Sequence, residues 1–303
     1  MNPAHLTTTT EAIDPIFIFI FGACLLLLIG ITAAMAIFVI RYHRSRAPEP
    51  TSTVDGNHLL ELIWIVLPTI LVMAMFYYGW AGFMALRNVP KGALDVTATA
   101  RMWSWNFAYP NGKTSPKLYV PVGKPVRVEL ASVDVIHGFF VPAFRVKRDV
   151  VPGMSNYVWF VAPKVGSYDI YCAVYCGTSH SSMISTVEAL PEAEFTTWLQ
   201  QAPAGGKGVD AKALLEQNGC LGCHSLDGSQ GAGPSFKGIF GRSTVVVTGG
   251  KERTIPADEA YLRRSITDPQ ADVVKGFQPI MPAFPDLKDD DMKVLIEYLK
   301  GIK

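Results

Sequence analysis

Two uninterrupted apolar runs stand near the start of the chain, and nothing after them is as apolar. Ile16 to Ile40 contains no charged residue, and Leu62 to Met84 is a second uncharged run of similar length. Coiled as an α-helix with a rise of about 1.5 Å per residue, either run reaches across a hydrocarbon core of about 30 Å. Pro68 falls inside the second run, which a spanning helix tolerates when neighbouring groups resatisfy its backbone. Trp64, Tyr77, Tyr78 and Trp80 lie towards the ends of that run, where aromatic side chains favour the membrane interface. The pattern predicts a two-helix transmembrane hairpin within residues 1–90, with spans at about 16–40 and 62–84.

Further along, the pattern shortens to β-rich runs: Leu94–Ala98, Lys117–Val120, Val126–Leu130, Tyr157–Val161 and Tyr168–Cys172. Turn signals separate them, among them Asn111-Gly112, Gly123, Pro152-Gly153 and Gly166, which predicts an all-β sandwich or barrel over 91–200. Residues 201–208 are small and flexible in composition and read as a linker. From 209 to 303 the spacing turns helical, with helices expected near 209–219, 257–266 and 288–301. In the last of these Met292, Leu295, Ile296 and Leu299 share one face and read as core.

Charge orients the hairpin. Arg41, Arg44 and Arg46 directly follow the first run, whereas the preceding tail carries Glu11 and Asp14 and no Lys or Arg. By the positive-inside rule the connecting loop is cytoplasmic, and both termini lie on the outer side. A cleaved signal peptide is the rival for the first run, but it lacks a basic start and is too long for an h-region. Only 17% of residues are charged, against about 25% in ordinary soluble chains, and the formal net charge is +1. That balance excludes a disordered chain and gives no reason to expect nucleic acid as a partner.

The chain has five cysteines, Cys24, Cys172, Cys176, Cys220 and Cys223, and an oxidising compartment makes disulfides the first alternative. Their neighbours point elsewhere. Cys172-Ala-Val-Tyr-Cys176-Gly-Thr-Ser-His180-Ser-Ser-Met183 gathers two thiolates, an imidazole and a thioether in one short stretch, and His137 adds a second imidazole upstream. Soft sulfur ligands with imidazole select copper, and zinc has no use for the Met at this spacing. Two bridging thiolates and two imidazoles suit a pair of coppers built for electron transfer.

Here the chain resembles subunit II of haem–copper respiratory oxidases, over roughly residues 15–200. Glu61-Leu-Ile-Trp64-Ile-Val-Leu-Pro68, Trp103-Ser-Trp105-Asn-Phe107-Ala-Tyr109 and Phe144-Arg-Val-Lys147-Arg-Asp149-Val-Val-Pro152-Gly153 are similar to segments of that family. The resemblance implies a cupredoxin-like domain with a binuclear copper A centre. Its ligands would be His137, Cys172, Cys176, His180 and Met183, with the backbone carbonyl of Val174. It also implies Trp103 as the point where electrons reach copper, and Glu61 at the mouth of a proton channel into subunit I. Two positions depart from the family. Val174 stands where Glu is usual, so the carboxylate that helps bind an interfacial magnesium is missing, and Met154 stands where Arg is common.

Cys220-Leu-Gly-Cys223-His224 is a c-type haem attachment motif. Gly233-Pro234 follows, and Met281-Pro282-Ala-Phe284 precedes the last helix. Residues 209–303 therefore resemble an all-α class I cytochrome c. The resemblance implies thioether links at Cys220 and Cys223, axial ligands His224 and Met281, and a carbonyl at Pro234 that orients the proximal ring. The expected whole is a caa3-type subunit II, anchored in the bacterial inner membrane with its copper and haem domains on the periplasmic side. It would take electrons from a cytochrome c or a quinol:cytochrome c oxidoreductase through one haem c to two coppers. Subunit I, with subunit III beside it, would reduce oxygen to water and pump protons. A copper A subunit of a nitric oxide reductase and a membrane-tethered electron carrier are the alternatives. His5, His43 and His58 are assigned no chemistry, and Asp134 is either a turn cap or a neighbour of the copper site.

Overall fold

The structure is a computed structural model and describes residues 8–46, 56–201, 211–285 and 287–303. Residues 202–208 of the expected linker lie outside the described residues. Two helices open the chain, α1 (Thr9–Arg41) and α2 (His58–Arg87), each long and apolar enough to cross a membrane. Both run past the apolar cores because polar caps begin them. Thr8 Oγ1 accepts from the Glu11 N–H, and Asn57 Oδ1 accepts from the Leu59 and Leu60 N–H groups. The start of α1 packs on the end of α2, where Ala12, Gly82 and Ala85 are buried. Gly82 lets Ile16 pack close, since a Cβ would lie 2.5 Å from Ile16 Cδ1 and the isoleucine would have to shift. Most of the remaining leucines, isoleucines and phenylalanines of both helices face outward, as lipid-facing side chains do.

From Pro90 to Lys303 the chain forms a second compact unit. It begins as a sandwich of ten strands: β1 (Leu94–Arg101), β2 (Ser104–Ala108), β3 (Thr114–Ser115), β4 (Leu118–Pro121) and β5 (Pro125–Ser132), then β6 (His137–Val141), β7 (Val146–Val150), β8 (Asn156–Val161), β9 (Gly166–Cys172) and β10 (Ile184–Leu190). One sheet has the order β3-β2-β1-β5-β8 and the other β4-β10-β9-β6-β7. Period-two burial drives the packing: Val96, Ala98 and Ala100 of β1 point inward beside Val126, Val128 and Leu130 of β5. Trp105, Phe107, Phe139, Phe144 and Phe160 fill the space between the sheets. All five expected runs are strands. β2, β3, β6, β7 and β10 are additional, as is helix α3 (Glu192–Gln200), whose Trp198 stacks on Tyr119 at 4.2 Å between ring centroids.

The last region holds α4 (Ala211–Gln217), α5 (Glu259–Thr267) and α6 (Asp289–Gly301). Leu214, Leu215, Tyr261, Leu262 and the Met292, Leu295, Ile296 and Leu299 face of α6 form its core. The helical reading holds, with one addition. A hairpin of β11 (Ser243–Thr248) and β12 (Lys251–Pro256), joined by Gly249-Gly250, pairs with the short β13 (Val273–Val274). Both glycines have positive φ, the backbone state that such a tight turn needs. Buried Asp272 ties this sheet to α5 by pairing with Arg253 and Arg264 and accepting from Thr248 Oγ1. Burial opposes its charge, but these partners hold the carboxyl below the usual range.

Candidate functional site

The copper-type donors come from three places in the sandwich. β6 begins at His137, β9 ends at Cys172, and the loop between β9 and β10 carries Val174, Cys176, His180 and Met183. The loop is drawn close to β6 because Gly138 lacks a side chain: a Cβ there would lie 3.0 Å from Ala173 C and Val174 N. The Ala173 N–H donates to the Gly138 carbonyl at 2.9 Å, fixing that approach.

The sulfurs of Cys172 and Cys176 lie 3.7 Å apart, far beyond a disulfide bond of about 2.05 Å. His137 Nδ1 stands 3.8 Å from Cys172 Sγ, and His180 Nδ1 stands 3.5 Å from Cys176 Sγ. On the flanks, the Val174 carbonyl oxygen is 3.2 Å from Cys172 Sγ, and Met183 Sδ is 3.9 Å from Cys176 Sγ. His137, Cys172, Cys176 and Met183 are all buried. Donor separations of this size are those of ligands that share metals, with each bond near 2 Å. The donors form a chain, imidazole–thiol–thiol–imidazole, with a carbonyl at one end and a thioether at the other. Soft donors around a two-sulfur centre fit a pair of coppers.

Burial resists a charge on His137, Cys172 and Cys176, and their neighbours either outweigh it or add to it. Burial alone lowers the affinity of His137 for a proton. Hydrogen bonds to Asp134 and Cys172 outweigh it and raise the imidazole to about 9. Burial also works against the Cys172 thiolate, but the His137 contact prevails and brings the thiol down to about 6. Cys176 is pushed up to about 12 by burial and by the charge on Cys172. Asp134 is the organiser. Its Oδ1 accepts from His137 Nε2 at 2.8 Å and from the Val135 N–H at 2.7 Å, and its Oδ2 accepts from the Met102 N–H at 2.7 Å. This bond turns Nδ1 of His137 towards the sulfurs.

Replacing Asp134 with Asn is therefore expected to weaken copper retention about 10–100-fold, measured by chelator competition. The metal-free protein offers a pH test. The His137 pKa is raised above its ordinary 6.5, so its contribution to stability is full below 6.5 and is lost as pH rises through about 9. The gap in thermal midpoint between wild type and Asp134→Asn should narrow across that window. A constant gap would show that Asp134 acts only through its backbone contacts.

Trp103 is buried beside this cluster and donates from Nε1 to the Cys176 carbonyl at 3.1 Å. Gly177 has a φ of +117° and lets the indole in, since a Cβ there would lie 3.0 Å from Trp103 Cζ2. Trp105 packs edge-on to Phe139 at 5.5 Å, so it serves as core. In α2, Glu61 pairs with His58 at 3.4 Å within the first turn.

The haem-type residues surround one largely apolar cavity, lined by Cys220, Cys223, His224, Pro234 and Met281. Gly219, with φ +71°, ends α4 and starts the short turn Cys220–Gly222. His224 Nδ1 donates to the Pro234 carbonyl at 2.7 Å, which leaves Nε2 as the ligating nitrogen. Its ring stacks on Phe236 at 4.5 Å, and Gly233 makes room, since a Cβ would lie 2.5 Å from His224 Cε1. Burial depresses the proton affinity of His224, as a neutral ligand needs, with the Pro234 hydrogen bond opposing it. Burial pushes Cys220 up to about 12. Gln270 Nε2 donates to the Pro279 carbonyl at 3.1 Å and to the Met281 carbonyl at 3.4 Å, which shapes the methionine loop. Met292 is 1% exposed inside the α6 core and has no access to the cavity role. Both donor sets fit the groups that the motifs imply. Sequence reasoning missed the Asp134–His137 bond, although the Asp134-Val-Ile-His137 spacing carries the signal.

Three family models match the chain: cytochrome c oxidase subunit II, transmembrane domain, over residues 4–80; its periplasmic domain over 113–190; and cytochrome c over 209–303. Among curated relatives, cytochrome c oxidase subunit 2 of Alkalihalophilus pseudofirmus is 33% identical over 91% of this chain and 83% of its own. That of Bacillus subtilis is 28% identical over 88% of this chain and 81% of its own. The solved periplasmic domain of subunit II of cytochrome oxidase from Bradyrhizobium japonicum is 36% identical, covers 38% of this chain and 96% of that one, and gives a TM-score of 0.36. The Alkalihalophilus relative, 33% identical over 91% of this chain, and family matches on all three regions in order agree with the hairpin, the sandwich and the cavity: the chain belongs to the cytochrome c oxidase subunit II family and carries a cytochrome c domain.

Proposed function

We propose that this chain is the electron-accepting subunit of a respiratory haem–copper oxidase, of the caa3 type, anchored in a bacterial inner membrane by two spans. In this reading 1–90 is the anchor, 91–200 the copper domain, 201–208 a linker and 209–303 the cytochrome domain. Bound there, one haem c and two coppers supply one-electron redox chemistry that feeds oxygen reduction and proton pumping in subunit I. Subunit III and an upstream cytochrome c or quinol:cytochrome c oxidoreductase complete the set of partners.

The chain's own residues do the holding. Cys172 and Cys176, His137 and His180 through Nδ1, the Val174 carbonyl and the Met183 thioether would hold the coppers. A donor set already spaced for metal need move little when charge changes, which suits electron transfer. Cys220 and Cys223 would anchor a haem and His224 and Met281 would ligate it, with the Pro234 carbonyl orienting the His224 ring. Trp103 is the aromatic contact at the copper side. Glu61, paired with His58 at 3.4 Å, is the carboxylate at the mouth of a proton channel. Val174 offers no carboxylate to a magnesium ion at the interface with subunit I.

The observation that carries this reading is the pair of buried thiols 3.7 Å apart between two imidazole nitrogens. Low-temperature EPR of the oxidised, copper-loaded protein tests it. A seven-line copper hyperfine pattern is expected, from one electron shared by two equivalent nuclei. A four-line pattern, or no copper signal, would sink the binuclear assignment.

A further inference from the structure

The loop that carries Met281 is gripped from the sandwich. Arg101, the last residue of β1, donates from Nη1 to the Ala283 carbonyl at 2.8 Å. Its guanidinium also lies over the Phe284 ring, with Cζ 4.5 Å from the centroid. Phe284 is buried, and its N–H donates to the Ile266 carbonyl at 2.9 Å, so the ring is a fixed platform. Among the described residues no carboxylate pairs with Arg101.

The residues after Arg101 face two ways. Met102 lines the cavity that holds Cys220, His224 and Met281, and its N–H is held by Asp134 of the copper side. Trp103 binds the Cys176 carbonyl. Ser104 meets Gly219 so closely that a Cβ on the glycine would lie 2.6 Å from Ser104 Cβ. Cys223 and Ile280 pack on the edge of the sandwich core.

We propose that Arg101 is a positioning residue, a clasp that fixes the Met281 loop of the cytochrome domain onto the copper domain through Ala283 and Phe284. The proposal rests on the reading above of a haem at Cys220–His224 and coppers at His137–Met183. Arginine suits the task because its planar fork stacks on a ring and donates in its own plane at once, which a lysine cannot do. Its partners are a carbonyl and a π-face, both short-range and neutral, so the clasp holds at ionic strengths that dissolve charge-steered docking. It also restrains the chain two residues from Met281 while the same strand end touches the copper loop.

The test uses the full-length, haem- and copper-loaded protein in detergent, as wild type, Arg101→Ala, Arg101→Lys and Phe284→Leu. In the fully oxidised protein a paramagnetic low-spin haem speeds the spin relaxation of the copper centre, steeply with proximity. Wild type should show this enhancement at low and high salt. Arg101→Ala should lose most of it, approaching a Cys220→Ala/Cys223→Ala protein that lacks haem. Arg101→Lys should recover only part, and Phe284→Leu should match Arg101→Ala from the other side of the contact. Hydrogen exchange over residues 279–285 reads the same clasp without needing copper, and should quicken in both Arg101→Ala and Phe284→Leu. Unchanged relaxation and unchanged exchange in Arg101→Ala would overturn the clasp while leaving the functional reading intact. A missing seven-line signal overturns the functional reading instead, and hydrogen exchange then still decides the clasp.

Discussion

Replacing Cys176 with serine is expected, on the proposed two-copper reading, to leave at most one bound copper per chain and no seven-line signal. Cys176 Sγ is the hub of the donor set. It lies 3.7 Å from Cys172 Sγ, 3.5 Å from His180 Nδ1 and 3.9 Å from Met183 Sδ. A serine hydroxyl is hard, shorter in reach and protonated at neutral pH, so it cannot bridge two soft ions. What survives is His137, Cys172 and the Val174 carbonyl, a mononuclear set that would give four lines. Cys172→Ser removes the other bridge and leaves Cys176 with His180 and Met183, so it should also give a mononuclear signal, with different hyperfine values. Electron delivery through the subunit should fall to background in both. Copper quantitation and EPR on the two purified variants check this. A seven-line pattern persisting in Cys176→Ser would mean that its sulfur is not a bridge.

The gathering of copper-type donors was legible because most of them sit in one stretch of chain, where side-chain types and spacing point to a chemistry without a fold. His137 was legible as a second imidazole. Its partner Asp134 was ambiguous, since the same spacing serves a turn cap, and only the 2.8 Å bond to Nε2 decides between the roles. The membrane hairpin was legible from apolar length alone, because a span of hydrocarbon sets a minimum run. The polar first turns of α1 and α2 were not, since helix caps extend past the apolar core.

Strands were legible where they alternate. β1 and β5 bury every second residue, and their runs were found. β6 buries four of its five residues, which erases the period-two signal. The parallel pairing of β1 with β5 joins segments far apart in sequence, and no local pattern specifies it. In the cytochrome region the Val-rich run at β11, the Gly249-Gly250 turn and the β12 run form a hairpin signal, but reading that region for helical spacing passes over it. Arg101 lay furthest from view. Its partners Ala283 and Phe284 are distant along the chain, and nothing near Arg101 in sequence marks them.

The Cys220→Ala/Cys223→Ala double variant is expected to carry no covalently bound haem and to lose the folded cytochrome domain while keeping the sandwich. The reason lies in the cavity around Cys220, Cys223 and His224. Its lining is mostly apolar and includes Leu215, Phe236, Leu262, Leu295 and Leu299, residues that are also the domain's core or border it. A core of this kind is stable only with its centre filled, because an empty apolar cavity forfeits contacts on every side. Without haem, α4, α5 and α6 keep only the small core that Leu214, Leu215, Tyr261, Leu262 and the buried face of α6 make among themselves, so folding of the domain is coupled to the group it holds. The sandwich has its own core around Trp105, Phe107, Phe139 and Phe160 and does not share that dependence. The single variants should be milder, since one thioether still tethers the porphyrin beside His224. Haem staining on a denaturing gel measures attachment, and limited proteolysis measures the fold: cleavage should concentrate in residues 211–303 of the double variant and spare 94–200. A protease-resistant cytochrome domain without haem would show that its helices are held by side-chain packing alone.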